Sequence, residues 1–422
     1  MRTKLLIVMA AIALVIAPVA LFAGGQAEPA ATPGVTEITM WFGREDFIPD
    51  DRFETFHREN PDIRVNFDVI PLEQGLTEFI PAFQAGRAPD VLQLNHFNVI
   101  PLVRQGMVQD IGSVIERWRT EDPQDFAQIA PVAFDLATWE GTTYGMSMWA
   151  GPRFHVYRKD LFDAAGLPAP ETWDDVLDAA RALNAPDMLG ISLHGSRAHS
   201  PWGWFGSKFM NMGGEFVDGV MQIDSPAGIY LLEFHQTLAR EGLIDNDVLA
   251  LNSGDFRAAF IDGRAAQFYE AGNLYPRLNE NLEFGEEWVA IVPPYRPGAQ
   301  NDFSVGGFGW PFYVSARTEN LDAIYRIFKY ISQYSHEVAI RYQPPTRTTV
   351  FDRDDMRAAQ PWWEDIKDIY DTMVLFPIHP RMTEMQEVVL DAKQWAFQNP
   401  NADPRTVVGR FQAELDAIHA QD

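Results

Sequence analysis

The 422-residue chain contains no cysteine. Its absence excludes disulfides, thiolate metal sites and a cysteine nucleophile, and with them a lipid anchor attached through cysteine. Positive charge is scarce: 33 Lys and Arg stand against 59 Asp and Glu, a formal charge of −26. This excess repels nucleic-acid phosphates and anionic membrane surfaces, so no nucleic-acid partner is expected. Long apolar runs are missing beyond residue 22. The one such run, Leu5 to Phe22, follows Arg2 and Lys4 and precedes Ala23, Gly24 and Gly25, the order of an export signal. An N-terminal anchor is the alternative, but the run is near the lower limit for a spanning helix and carries Pro18. Residues 1–23 are expected to be a signal peptide, and 24–34, rich in Ala, Pro and Gly, a flexible N-terminus. Export without an anchor points to the periplasm, with secretion second.

Catalytic motifs are also missing. His336-Glu337 opens a metalloprotease-like pattern, but Ile340 follows where the pattern goes on and no second histidine ligand comes. Gly306-Gly-Phe-Gly309 lacks a third glycine and a βαβ setting. No Walker loop and no G-x-S-x-G elbow occur. Asp245-Asn-Asp247 lacks EF-hand spacing, and the nine histidines lack ligand spacing. No catalytic residue, metal or cofactor is expected. A carboxylate pair for glycoside hydrolysis stays open, because it needs only closeness in space.

What is present is enough apolar sequence for a large core, 46%, and an aromatic content of 13% with 12 Trp and 29 Phe. The length suggests two or three domains. Strands are predicted at 37–42, 63–69, 91–94, 265–269, 289–292 and 312–314. Helices are predicted at 53–60, after the Thr172-Trp-Asp-Asp175 capping box, after Ser225-Pro226, near 256–263, and at 321–334, 383–397 and 406–419. Alternating strands and helices predict an α/β protein with a largely parallel sheet.

Several aromatic and polar clusters fall at predicted strand ends or in loops. Trp41, Phe42, Arg44 and Asp46 end the first strand; Asn95 and His96 end another. Trp149 and Arg153 flank a Gly-Pro turn. His199, Trp202 and Trp204 share a Gly/Pro-rich loop. Tyr269, Glu270 and Asn273 end a third strand, and Phe308 and Trp310 lie among glycines. Ligands of open α/β sheets bind outside strand ends. A sugar suits such a mixture, because its C–H face stacks on Trp and its hydroxyls want Asp, Glu, Asn, Arg and His. Trp118, Trp139, Trp173 and Trp288 are expected to be structural. Arg44, Arg153, Arg197, Arg347 and Arg381 could clamp an acidic ligand such as a uronate or a polyol phosphate; surface salt bridges are their alternative role.

Stretches spread over the mature chain carry a resemblance. They are Ile38-Thr-Met-Trp-Phe42, Gly86-Arg-Ala-Pro-Asp-Val91, Gly141-Thr-Thr-Tyr-Gly-Met146, Tyr157-Arg-Lys-Asp-Leu-Phe-Asp-Ala-Ala-Gly-Leu167 with Pro170-Glu-Thr-Trp-Asp-Asp175, Phe260-Ile-Asp-Gly-Arg-Ala-Ala266 and Ser304-Val-Gly-Gly307. The chain resembles the family 1 extracellular solute-binding proteins, the sugar-binding components of ABC importers. The resemblance implies a two-lobed, Venus-flytrap α/β fold, each lobe a mainly parallel sheet flanked by helices. Lobe one would take 35–146 and 307–350, and lobe two 147–306 and 351–422. A mono- or oligosaccharide would bind between them, and a monomer would deliver it to an ABC permease. The sequence departs from the family at Arg158, usually Asn, and at Gln386, where some members place a stacking Trp. A secreted glycan-degrading enzyme is the alternative of another class.

Overall fold

The computed structural model describes residues 34–422 apart from 198–199, 272–273, 300–302, 307, 342–343, 364–366, 368–369 and 371. The expected signal peptide, residues 24–33, His199 and Asn273 lie outside the described residues.

Two sheets organise the chain. The strands are β1 (Thr36–Phe42), β2 (Ile63–Val69), β3 (Val91–Gln93), β4 (Gly145–Met146), β5 (Arg153–Tyr157), β6 (Gln267–Ala271), β7 (Val289–Ile291) and β8 (Phe312–Val314). The first sheet runs β2-β1-β3-β8-β4, with β1 parallel to β2 and β3, and β8 antiparallel to β3 and β4. In β1 the alternation is literal: Ile38, Met40 and Phe42 are buried while Thr39 and Trp41 are half-buried, as a period of two requires.

The second sheet differs from the mainly parallel expectation. Its order is β6-β5-β7, and β5 is antiparallel to both neighbours. One strand causes the departure. β6 and β7 share a direction, and Leu189 and Ser192 bridge in parallel to Ala265 and Phe268, so the helical crossovers still join parallel segments. β5 is reversed because it enters directly from the first sheet without a crossover helix. β8 is reversed in the first sheet on its return.

The helices form where local signals ask for them. They include α1 (Trp173–Leu183), α2 (Ser207–Asn211), α3 (Pro226–Arg240), α4 (Ser253–Ile261), α5 (Leu321–Gln333) and α6 (Met382–Gln398). Thr172 Oγ1 accepts from the Asp175 amide at 3.2 Å, and Asp175 Oδ2 accepts from the Thr172 amide at 2.8 Å, satisfying two otherwise orphaned amides. Ser225 caps α3 with Pro226 at its first position.

Two bodies of packing result. Around the first sheet, Ile38, Phe42, Val91 and Phe312 pack on Ile324, Ile327 and Phe328 of α5. Around the second, Phe154, Phe268 and Trp288 pack with Trp362, and Trp173, Phe209, Leu231 and Val389 form a neighbouring cluster. Trp118, Trp173 and Trp288 are buried; Trp139 is half-buried against the first body. Three segments joining the bodies are hydrogen-bonded together: Ala150 N donates to Pro344 O, Thr346 N to Met148 O, and Gly151 N to Phe308 O. Among the described residues no helix is long and apolar enough to cross a membrane.

Candidate functional site

Aromatic rings from both bodies meet beside these joining segments. His96 and Phe97 follow β3 in the first body, with ring centroids 3.8 Å apart. Phe308, on a joining segment, lies 5.9 Å from His96 and 6.2 Å from Phe97. From the second body Phe376 approaches Phe308 at 5.6 Å and Phe97 at 6.3 Å, and Trp202 approaches Phe376 at 5.8 Å. Phe216 completes the group, 5.1 Å from Phe376. His96 is 3% exposed, its ring enclosed by Phe97 and Phe308. Burial pushes its pKa down to about 3, so the ring is neutral. Asn95 holds this turn, its Oδ1 accepting from the Phe97 amide at 3.2 Å.

Trp202 and Trp204 do not sit in an open loop. Residues Trp202–Gly206 form a wide helical turn running into α2. The Pro201 carbonyl accepts from the amides of Trp204, Phe205 and Gly206 at 3.2, 2.8 and 3.1 Å. Trp202 is buried, 2% exposed, while Trp204 is half-buried.

Next to this turn lies a buried charge group. The Arg153 guanidinium carbon stands 4.8 Å from the Trp204 ring centre and 4.5 Å from that of Phe308. Its Nη1 donates to Glu270 Oε1 at 3.1 Å, and Glu270 Oε2 accepts from Arg257 Nε at 2.5 Å. Burial lowers the Arg153 pKa and the Glu270 carboxylate opposes that shift. A Cβ on Gly203 would stand 2.3 Å from Arg153 Nη2, so only glycine lets the guanidinium lie against the turn.

Of the residues predicted from sequence, the structure therefore brings together Asn95, His96, Arg153, Trp202, Trp204, Glu270 and Phe308. The others are placed elsewhere. Phe42 is a core ring of the first body, against Phe53, Phe67 and Phe312. Trp41 points to the other face of β1, edge-on to Phe79 at 6.3 Å. Trp149 and Trp310 both pack on Phe47, at 4.6 and 5.5 Å. Tyr269 is buried behind the wide turn, its hydroxyl bonded to Ser207 Oγ at 3.0 Å and Asn211 Oδ1 at 3.2 Å. The arginines meet the chain's own acids. Arg44 forks onto Asp46 at 2.8 and 2.9 Å, and this bond lowers the Asp46 pKa. Arg347 is buried on Asp125, Gln128 and Ser332. Arg381 binds Glu384 at 3.1 Å and Gln421 at 3.0 Å, and Arg197 binds Glu387 and Asp391. Sequence reasoning missed Phe97, Phe216, Phe376 and Arg257 as site residues. Phe97 could have been found by extending the Asn95-His96 signal by one residue. Among the described residues no group of three or more His, Asp or Glu is placed to hold a metal ion.

Comparison with known proteins agrees with this architecture. A binding protein of Brucella abortus is 25% identical over 266 residues, 60% of this chain and 61% of that protein. The sn-glycerol-3-phosphate-binding periplasmic protein of Shigella dysenteriae is 25% identical over 227 residues, 49% of this chain and 50% of its own. The chain thus spans half to three-fifths of the length of these relatives. The fold is similar to that of the sugar-binding protein MalE from Xanthomonas citri, with a TM-score of 0.76, 18% identity, and 92% and 98% of the two chains covered. The family model for bacterial extracellular solute-binding proteins matches residues 45–333, and the chain belongs to that family.

Proposed function

We propose that the protein binds a neutral carbohydrate, a mono- or oligosaccharide, at the aromatic seam between its two lobes and delivers it to an ABC-type membrane importer. The carrying observation is that His96 and Phe97 of one body, Phe308 of a joining segment, and Trp202 and Phe376 of the other body converge on one place. Stacked rings with a few placed polar groups suit the C–H face and hydroxyl rim of a sugar. Lobe one takes 35–146 and 307–350, and lobe two 147–306 and 351–422. The joining segments act as the hinge, and ligand favours the closed state because only closure lets both lobes touch it. The ligand leaves chemically unchanged, and the mature monomer works unanchored in the periplasm.

The Shigella relative's name brings in an acidic reading, a polyol phosphate or a uronate. Against it, Arg44, Arg153, Arg197, Arg347 and Arg381 each already bond a carboxylate of the chain. Isothermal titration against neutral mono- and oligosaccharides, glucuronate and glycerol 3-phosphate decides between them. A neutral sugar is expected to bind tightest. Phe308→Ala is expected to weaken that sugar about tenfold, or ~1.4 kcal/mol. Tighter binding of either acid, or no heat from any neutral sugar, contradicts the proposal.

A further inference from the structure

The interior of the second body contains a small cavity behind the wide turn, whose lining includes Ser192, His194, Trp204, Lys208, His235, Tyr269 and Lys393. It leaves about 10 Å³ for the centre of a water-sized sphere, room for roughly one water or one small ion. Among the described residues no carboxylate lines it. Lys208, on α2, is 3% exposed. Its Nζ lies 5.9 Å from the Trp173 ring and 5.4 Å from the Tyr269 ring, and among the described residues it makes no hydrogen bond or ion pair. Lys393, on α6, is also 3% exposed, and its Nζ donates to the Ser196 carbonyl at 3.2 Å.

The other polar groups cannot neutralise these ammoniums. The Tyr269 hydroxyl is committed to Ser207 and Asn211. Ser192 Oγ donates to the Phe256 carbonyl at 2.8 Å. His235 Nδ1 is hydrogen-bonded to the Leu231 carbonyl at 2.7 Å, so this nitrogen carries the proton. A buried charge is normally paired, because an isolated ion loses its hydration with nothing in exchange. Here two ammonium-bearing side chains face one small space, and among the described residues no countercharge lines it.

We propose that this cavity binds one small monovalent inorganic anion of chloride size, held by the Lys208 ammonium and supported by Lys393. The space suits a single-atom anion better than a sulfate- or phosphate-sized oxyanion. Burial, with repulsion from Lys393, pushes Lys208 down to about 7, and burial, with repulsion from Arg197, pushes Lys393 down to about 8, so both remain partly protonated at neutral pH and gain from an anion. The site spans α2, α3, α6 and the middle of β6, and Trp204 of the wide turn lines it, so an ion there ties together the elements that carry Trp202 and Trp204. It does not depend on the identity of the transported ligand.

The test is thermal unfolding at pH 7 in sodium chloride against sodium methanesulfonate at matched ionic strength. Chloride is expected to raise Tm by about 2 °C or more, growing logarithmically with concentration. Lys208→Met is expected to abolish the difference. Because that variant could fail to fold, crystals of the wild-type protein grown in sodium bromide give a second reading: an anomalous peak in the cavity beside Lys208. Equal Tm in the two salts, a Lys208→Met protein that keeps the chloride gain, or a water in place of bromide would each overturn the proposal.

Discussion

Glu270→Gln lowers the unfolding free energy by about 3–5 kcal/mol, seen as a lower urea midpoint at unchanged slope. The Glu270 side chain is fully buried and shared by Arg153, 7% exposed, and Arg257, 21% exposed. Being partly exposed, Arg257 keeps some contact with water when that charge is removed. Arg153, by contrast, is held between Trp204 and Phe308 and over Gly203. A guanidinium left there keeps its full desolvation cost and loses the one carboxylate that offsets it. The double variant Arg153→Met, Glu270→Gln is expected to recover part of the loss, because no unpaired buried charge remains. A single variant within about 1 kcal/mol of wild type would mean that the group is solvated or replaceable.

Acid produces the second large effect. His96, His155 and His235 are fully buried, and burial holds His96 at about 3, His155 at about 4 and His235 well below its ordinary value of 6.5. Each ring is neutral in the fold, whereas the unfolded chain takes up a proton near pH 6.5. Between pH 6.5 and about 4 the unfolded state therefore binds more protons, and stability falls as pH falls. At pH 4.5 the cost is about 2–3 kcal/mol for His96 and for His155, and His235 adds to it, so the rings together take a large part of the stability of an ordinary domain. Relief of acidic self-repulsion acts the other way but has no sharp step near pH 6. Urea unfolding at pH 7, 6 and 5 is expected to show a steep loss, shallower by about one third in His96→Leu. A profile flat down to pH 5 would contradict neutral burial of these rings.

The contrast between Phe42 and Phe308 shows what was legible in the sequence. Local patterns read well. The alternation in β1 and β2, the Thr172 capping box and the Ser225-Pro226 start all appear where periodicity and capping chemistry put them. Phe42 ends a strand as Phe308 borders a glycine turn, but which ring faces the seam depends on packing from the rest of the chain. β5 was unreadable for a related reason. Arg153-Phe-His-Val-Tyr157 looks like a strand with one wet face, yet every residue is buried. Arg153 and His155 find partners in Glu270 and Gln267, 117 and 112 positions away. The partners of the arginines are equally remote, since Arg347 finds Asp125 across 222 positions. Pairings of that range leave no local trace. The wide turn at Trp202 was hidden too, because Gly203 and Pro201 read as loop chemistry while their role is to admit a guanidinium and to gather three amides.

The account rests on a carbohydrate drawing two lobes together at one aromatic seam. Small-angle X-ray scattering, with and without a saturating amount of the sugar that binds tightest in titration, tests it most directly. The account predicts a smaller radius of gyration in the liganded protein. An unchanged radius at saturation would contradict it.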